Sequence, residues 1–178
     1  MLLKYIRCVH RFYPHLTSPS KGEAPAPKGT PFEPGGGTLV AMAAPSSRPL
    51  PVPDDLTRPY WQAAWEGRLE LPRCAACGRW RFPPIATCDA CGSPAFAWTP
   101  VSGQGNVYSF GVIHENFIKG FDPPYVVAQI ELAEQPGLCI MANILDCPPR
   151  RVAIGMAVSV TFEQVSDTIR LPQFRPVG

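Results

Sequence analysis

Cys74-Ala75-Ala76-Cys77-Gly78-Arg79-Trp80-Arg81-Phe82-Pro83-Pro84-Ile85-Ala86-Thr87-Cys88-Asp89-Ala90-Cys91-Gly92 holds two Cys-x-x-Cys pairs with ten residues between them, and a glycine follows each pair. A Cys-x-x-Cys turn can point both thiolates at one ion, and the glycine suits the left-handed backbone that such a knuckle needs. The stretch therefore reads as a four-cysteine zinc ribbon with Cys74, Cys77, Cys88 and Cys91 as ligands. A redox pair or two disulfides would not call for two copies with matching glycines. The ligand set alone fits iron as well as zinc. Between the pairs, Arg79 to Ile85 is long enough for a strand and a return.

Upstream, Thr57 offers an N-cap, Pro59 is tolerated in a first turn and Gly67 is a natural stop, so a helix is expected over Arg58 to Glu66. Tyr60, Trp61, Ala64 and Trp65 share one side of it. Two indoles on so short a helix must pack on the rest of the domain or on another protein. Leu69-Glu70-Leu71 alternates like a strand.

Downstream, the pattern has period two or short apolar runs bounded by Gly and Pro. Strands are expected at Phe96 to Val101, Asn106 to Ile113, Tyr125 to Leu132, Leu138 to Ile144, Met156 to Phe162 and Ile169 to Phe174. Ser102 to Gly105 reads as a turn or bulge, Gly111 as a bend, and Glu134 to Gly137 as a hairpin turn. The fold class is mainly β, with a short helix, the ribbon, and then a five-stranded barrel of the OB type. A sandwich needs more strands. The expected division is a Pro/Gly-rich leader over 1–56, helix and ribbon over 57–98, and barrel over 99–178.

The leader holds ten of the 23 prolines and a Gly35-Gly36-Gly37 run, a composition with little to bury, and is expected to be disordered. Met42 also reads as a start, which would make the preceding residues non-native; a partner-binding tail is the functional alternative. Lys4, Arg7 and Arg11 interrupt the opening apolar residues, so no signal peptide is expected, and no segment reaches membrane-spanning length. Seven cysteines, with Cys8, Cys139 and Cys147 left over after the ribbon, suit a reducing cytoplasm. The net charge of +2 is uneven: residues 1–41 carry five basic and two acidic side chains, so residues 42–178 stand at −1. Four thiolates on one zinc take that part to about −3. With Lys119 the one lysine after residue 28, the charge argues against a nucleic-acid module, although ribbons and OB barrels both serve as such.

Taken in order, the aromatic helix, Gly67-Arg68-Leu69, the two cysteine pairs around Phe82-Pro83-Pro84, Trp98, Ser102-Gly103-Gln104-Gly105-Asn106-Val107-Tyr108-Ser109, Pro124-Tyr125-Val126-Val127-Ala128 and Ile154-Gly155-Met156-Ala157-Val158 resemble the domain-of-unknown-function 35 family. The resemblance covers about Thr57 to Pro176. It implies a rubredoxin-like zinc ribbon joined to an acyl-CoA-associated OB-fold, working as an accessory subunit of a thiolase-superfamily enzyme in lipid or steroid degradation. It also implies a hetero-oligomer in which the partner holds the catalytic residues. The four cysteines match the family's ligand positions.

The residues themselves offer little catalysis. A four-thiolate zinc site is closed to water and is structural. Cys139 lies in an apolar strand, and Cys147 precedes Pro148-Pro149 with no histidine near it in sequence. His114-Glu115 is a polar pair without a nucleophile, so it defines no reaction. Acyl-CoA recognition needs cations and an apolar channel. Arg150 and Arg151 are the candidates for the phosphates, whereas Arg73 and Arg79 are expected to balance the metal centre. The candidate contacts to acyl-CoA or a partner are Tyr60, Trp61, Trp65, Phe110, His114, Phe117, Phe121 and Tyr125, with the arginine pair. A stand-alone acyl-CoA-binding protein is the alternative to an accessory subunit.

Overall fold

The computed structural model describes residues 48–116 and 120–178. Helix α1 spans Arg58–Trp65. Thr57 precedes it, but its side chain makes no bond to the helix. Instead the Thr57 hydroxyl donates back to Asp54 Oδ1 at 2.7 Å, and the Asp54 carbonyl accepts the Arg58 N–H at 2.8 Å. The other end follows the expected stop. Gly67 has φ +78°, its N–H donates to Ala64 O at 3.1 Å, and the Arg68 N–H donates to Ala63 O at 2.9 Å. This paired closure satisfies carbonyls that a helix end otherwise leaves open.

Strand β1 (Glu70–Cys74) pairs antiparallel with β2 (Phe96–Pro100), in register from Glu70 opposite Pro100 to Cys74 opposite Phe96. The strand expected at Phe96 to Val101 is thus not the barrel's first. It closes the ribbon, because Cys91 brings the chain back beside the strand that delivered Cys74.

The second sheet contains β3 (Gln104–Ile113), β4 (Tyr125–Leu132), β5 (Cys139–Asn143), β6 (Ala157–Gln164) and β7 (Arg170–Pro176). Its order is β5-β4-β3-β6-β7. The two ends meet through a parallel bridge between Ile144 and Phe174, with the Leu145 N–H donating to Phe174 O at 2.7 Å. The sheet is therefore a five-stranded, nearly closed barrel of OB type. Strand β3 starts two residues earlier than expected. Its irregularity falls between Val107 and Ser109, not at Gly111, so Tyr108 is the extra residue.

Burial alternates along β4, where Val126, Ala128, Ile130 and Leu132 point inward, and along β5, where Ile140 and Ala142 do. Phe174, Ile130 and Val158 are fully enclosed. Tyr60, Trp61, Leu69 and Leu71 belong to the same apolar cluster as these barrel residues, so helix, ribbon and barrel share one core. Each such buried side chain contributes about 1.5–3 kcal/mol of transfer free energy. Residues 48–56, expected to belong to a disordered leader, make contacts instead: Pro51 is buried, and Arg48 forms an ion pair with Glu163 at 3.0 Å. Among the described residues no helix is long and apolar enough to cross a membrane.

Candidate metal centre and its surroundings

Two knuckles of matching geometry present the four cysteines. In the first, the Gly78 N–H donates to Cys74 O at 2.8 Å and the Cys74 N–H to Arg79 O at 2.8 Å. In the second, the Gly92 N–H donates to Cys88 O at 2.7 Å and the Cys88 N–H to Ser93 O at 2.8 Å. Gly78 and Gly92 have φ of +73° and +74°, a conformation that side chains rarely adopt. Cys74 and Cys88 are buried, while Cys77 and Cys91 face outward.

All four Sγ atoms lie within 4.8 Å of one another, with Cys74 and Cys91 at 3.6 Å and Cys77 and Cys88 at 3.7 Å. A tetrahedral ion with Zn–S bonds of about 2.3 Å requires sulfur–sulfur edges of about 3.8 Å. The cluster fits zinc. Its electrostatics agree: the Ala90 backbone N–H, with that of Cys91, holds the Cys88 thiol down to about 6 against burial. N–H groups of Cys77 and Ala76 likewise lower Cys74. The Ser93 N–H also favours a thiolate at Cys91, but the three neighbouring thiols and burial outweigh it and push Cys91 up to about 12. Four sulfurs this close cannot all ionise without a cation between them.

The expected charge balance by Arg73 and Arg79 is only partly met. Arg73 donates from Nε to Gly78 O at 2.9 Å and lies over the Trp80 ring at 5.5 Å, bracing the first knuckle from outside. Arg79 is exposed. The cation beside a thiolate is Arg81, whose Nη2 is 4.0 Å from Cys88 Sγ and also pairs with Asp89. Its backbone explains the choice, since the Arg81 N–H donates to Pro72 O at 2.9 Å and fixes residues 80–81 alongside β1.

The other candidate residues fall in separate places. Tyr60 and Trp61 are 3% and 7% exposed; Tyr60 stacks edge-on against Trp61 at 4.9 Å and tilts onto Phe82 at 5.5 Å. Tyr60 and Trp61 therefore pack at home, with Tyr60 tying the helix to the ribbon through Phe82. Trp65 is half-buried under the Arg170 guanidinium at 4.8 Å and borders a cleft of about 320 Å³ with Trp61, Arg58 and Ile169. Phe110 is half-buried against the barrel core. Phe121 and Tyr125 stack at 5.3 Å. His114 is exposed and makes no hydrogen bond among the described residues. Phe117 lies outside the described residues. Arg150 and Arg151 are both exposed on a 3-10 turn, Pro149–Arg151. No site role is expected for Arg48 or Glu163, Gln135 is expected only as a turn residue, and Tyr108 and Ile154, which are 58% and 72% exposed, are not among the candidate contacts. A repeated apolar–polar pattern carries no signal for long-range polar partners.

A closed four-thiolate ribbon sharing its core with a five-stranded barrel defines the class: a zinc-ribbon/OB-fold protein. Residues 61–97 match the rubredoxin-like zinc ribbon domain of ChsH2, and residues 98–163 match the ChsH2 C-terminal OB-fold domain. The DUF35 domain-containing scaffold protein of Methanocaldococcus jannaschii is 38% identical over 99 residues, covering 53% of this chain and 67% of that protein. A chain in the solved structure described as the Ltp2-ChsH2(DUF35) aldolase is 36% identical, with a TM-score of 0.66, covering 71% of this chain and 98% of that one. The chain belongs to the DUF35 family. The probable enoyl-CoA hydratase alpha subunit of Thermomonospora curvata is 38% identical over 131 residues, which cover 72% of this chain but 40% of that protein, so the chain spans less than half of that relative's length.

Proposed function

We propose that the chain is a non-catalytic accessory subunit that binds a thiolase-superfamily enzyme, such as an aldolase, and helps it handle an acyl-CoA of lipid metabolism. The observation that carries this reading is the likeness to nearly the whole of one chain in the Ltp2-ChsH2(DUF35) aldolase. The chemistry of the chain supports it. Its metal centre has no coordination position left for a water or substrate, and its exposed histidine has no nucleophile bonded to it among the described residues. In this reading Arg150 and Arg151 provide cations for the CoA phosphates. Trp65, Phe110, Phe121 and Tyr125 remain the aromatic contacts to acyl chain or partner.

The test is to produce the chain with and without a thiolase-like polypeptide and follow both gel filtration and acyl-CoA turnover. A stable complex whose turnover needs both chains, and survives His114→Ala, is the expected result. A chain that stays alone while binding acyl-CoA would replace this reading with that of a carrier, and turnover by the isolated chain would refute it. Within the complex, replacing Arg150 and Arg151 by Ala should raise KM for the CoA thioester while leaving kcat and assembly unchanged.

A further inference from the structure

We infer that Arg48 is a positioning residue that clasps the Gly120–Tyr125 end of the β3–β4 loop to the barrel and so fixes how the stacked pair Phe121 and Tyr125 is presented. Arg48 lies before the residues matched to the family, 61–163, and is not a candidate on sequence grounds. Its guanidinium makes three kinds of contact at once. Nε donates to Gly120 O at 2.8 Å, Nη1 pairs with Glu163 Oε1 at 3.0 Å, and the flat face lies 5.0 Å from the centre of the Phe121 ring. Phe121 in turn stacks on Tyr125, the first residue of β4. A planar fork with a cationic face can do all three; an ammonium cannot.

The anchor beneath it is rigid. Glu163 Oε2 accepts from Gln173 Nε2 at 3.1 Å, and Gln173 is a buried polar residue, 2% exposed. Gln173 Oε1 accepts the Asn143 N–H at 2.7 Å, and Asn143 Nδ2 donates to Val126 O at 2.9 Å. One polar chain therefore runs from β4 and β5, across the closing seam to β7 and β6, and out through Arg48 to the loop. The clasp sits where it is needed. Strand β3 pairs with β6 only from Gln104 to Asn106, whereas its pairing with β4 continues to Ile113. Beyond Asn106 the two hairpins part, and Arg48 spans from the end of one to the strand of the other. The ion pair is about three-quarters shielded from solvent on both sides, which limits screening.

The test is amide hydrogen exchange on the full zinc-loaded chain, read over residues 109–116 and 120–128. Arg48→Ala should speed exchange there by about five- to thirtyfold while leaving residues 138–144 unchanged. Glu163→Ala should act on the same residues, and the double variant should exceed neither single one by much, since both remove one clasp. Arg48→Lys keeps the charge and loses the fork, so it should also speed loop exchange, and it carries the test should Arg48→Ala fail to fold. Loop exchange at the wild-type rate in a folded Arg48→Ala or Arg48→Lys chain, or an increase spread evenly over the barrel, would overturn the inference.

Discussion

Gln135 holds both backbone groups of Trp80: the Trp80 N–H donates to Gln135 Oε1 at 3.0 Å, and Gln135 Nε2 donates to Trp80 O at 3.4 Å. A side-chain amide thus takes the place of a neighbouring strand, joining the turn after β4 to the loop between the two cysteine pairs. The residue before it works in parallel, as Glu134 Oε1 accepts the Ser102 N–H at 2.6 Å in the link between ribbon and barrel. Together with the shared apolar core, these bonds set the orientation of the metal centre on the barrel.

Gln135→Ala should therefore loosen that joint. It removes two hydrogen bonds and leaves a half-buried Trp80 N–H without its partner, a loss of about 1–2 kcal/mol. Urea denaturation should show a lower midpoint with an unchanged slope, since the surface exposed on unfolding is the same. An unchanged midpoint would mean that the apolar core alone sets the orientation.

The joint also shows how far the residues could be read in advance. The cysteine pairs, the glycines behind them and the alternation in β4 are local signals, each fixed by the chemistry of a few adjacent positions, and the ribbon and barrel were legible from them. Glu134 and Gln135 read only as turn residues, because their partners are 32 and 55 positions away. Phe96 to Pro100 was legible as a strand but not as the partner of Glu70 to Cys74, because alternation identifies a strand without naming its neighbour. Arg81 and Arg79 look alike in sequence; the bond from the Arg81 N–H to Pro72 O is what separates them.

At Gly105 the backbone of β3 comes close to β4. A Cβ there would stand 2.5 Å from Glu131 O and 2.9 Å from Ile130 Cγ2, the first a backbone atom with no freedom to move aside. Gly105→Ala should cost about 1–3 kcal/mol through overpacking. Thermal unfolding of the zinc-loaded chain checks it, with Gly111→Ala as control, since a Cβ at Gly111 meets nothing within 4 Å. Equal melting temperatures for the two variants would mean that β3 and β4 can separate at little cost.

Cys139 and Cys147 should differ in reactivity. Burial, and then the Glu131 carboxylate, raise the Cys139 thiol above its ordinary value, so its neutral form is favoured in the folded chain. The stability linked to it is complete below the ordinary thiol range and is lost as pH rises through the raised value. Iodoacetamide at neutral pH should alkylate Cys139 more slowly than Cys147 in the zinc-loaded chain, and mass spectrometry of the labelled peptides reads the order. Faster labelling at Cys139 would show that β5 opens to solvent.

The metal centre carries the largest expected effect. Structural zinc supplies apparent binding free energies of about 10–16 kcal/mol in small zinc peptides, comparable to the whole stability of a domain at about 5–15 kcal/mol. Leu69 and Leu71 run from the helix into the first knuckle and lie in the core shared with Ile130 and Phe174, so losing the metal should unsettle the barrel as well as the ribbon. Metal analysis should find one zinc per chain, and its removal by a strong chelator should lower the melting temperature of the whole chain in a single transition. Acid should act in the same direction. Protons compete with zinc for the four thiolates, so the metal's contribution to stability is lost as pH falls. Cys88→Ser should reproduce the chelated state at neutral pH. A metal-free chain that kept its melting temperature, or a barrel that melted unchanged after the ribbon had lost its zinc, would refute the shared-core account.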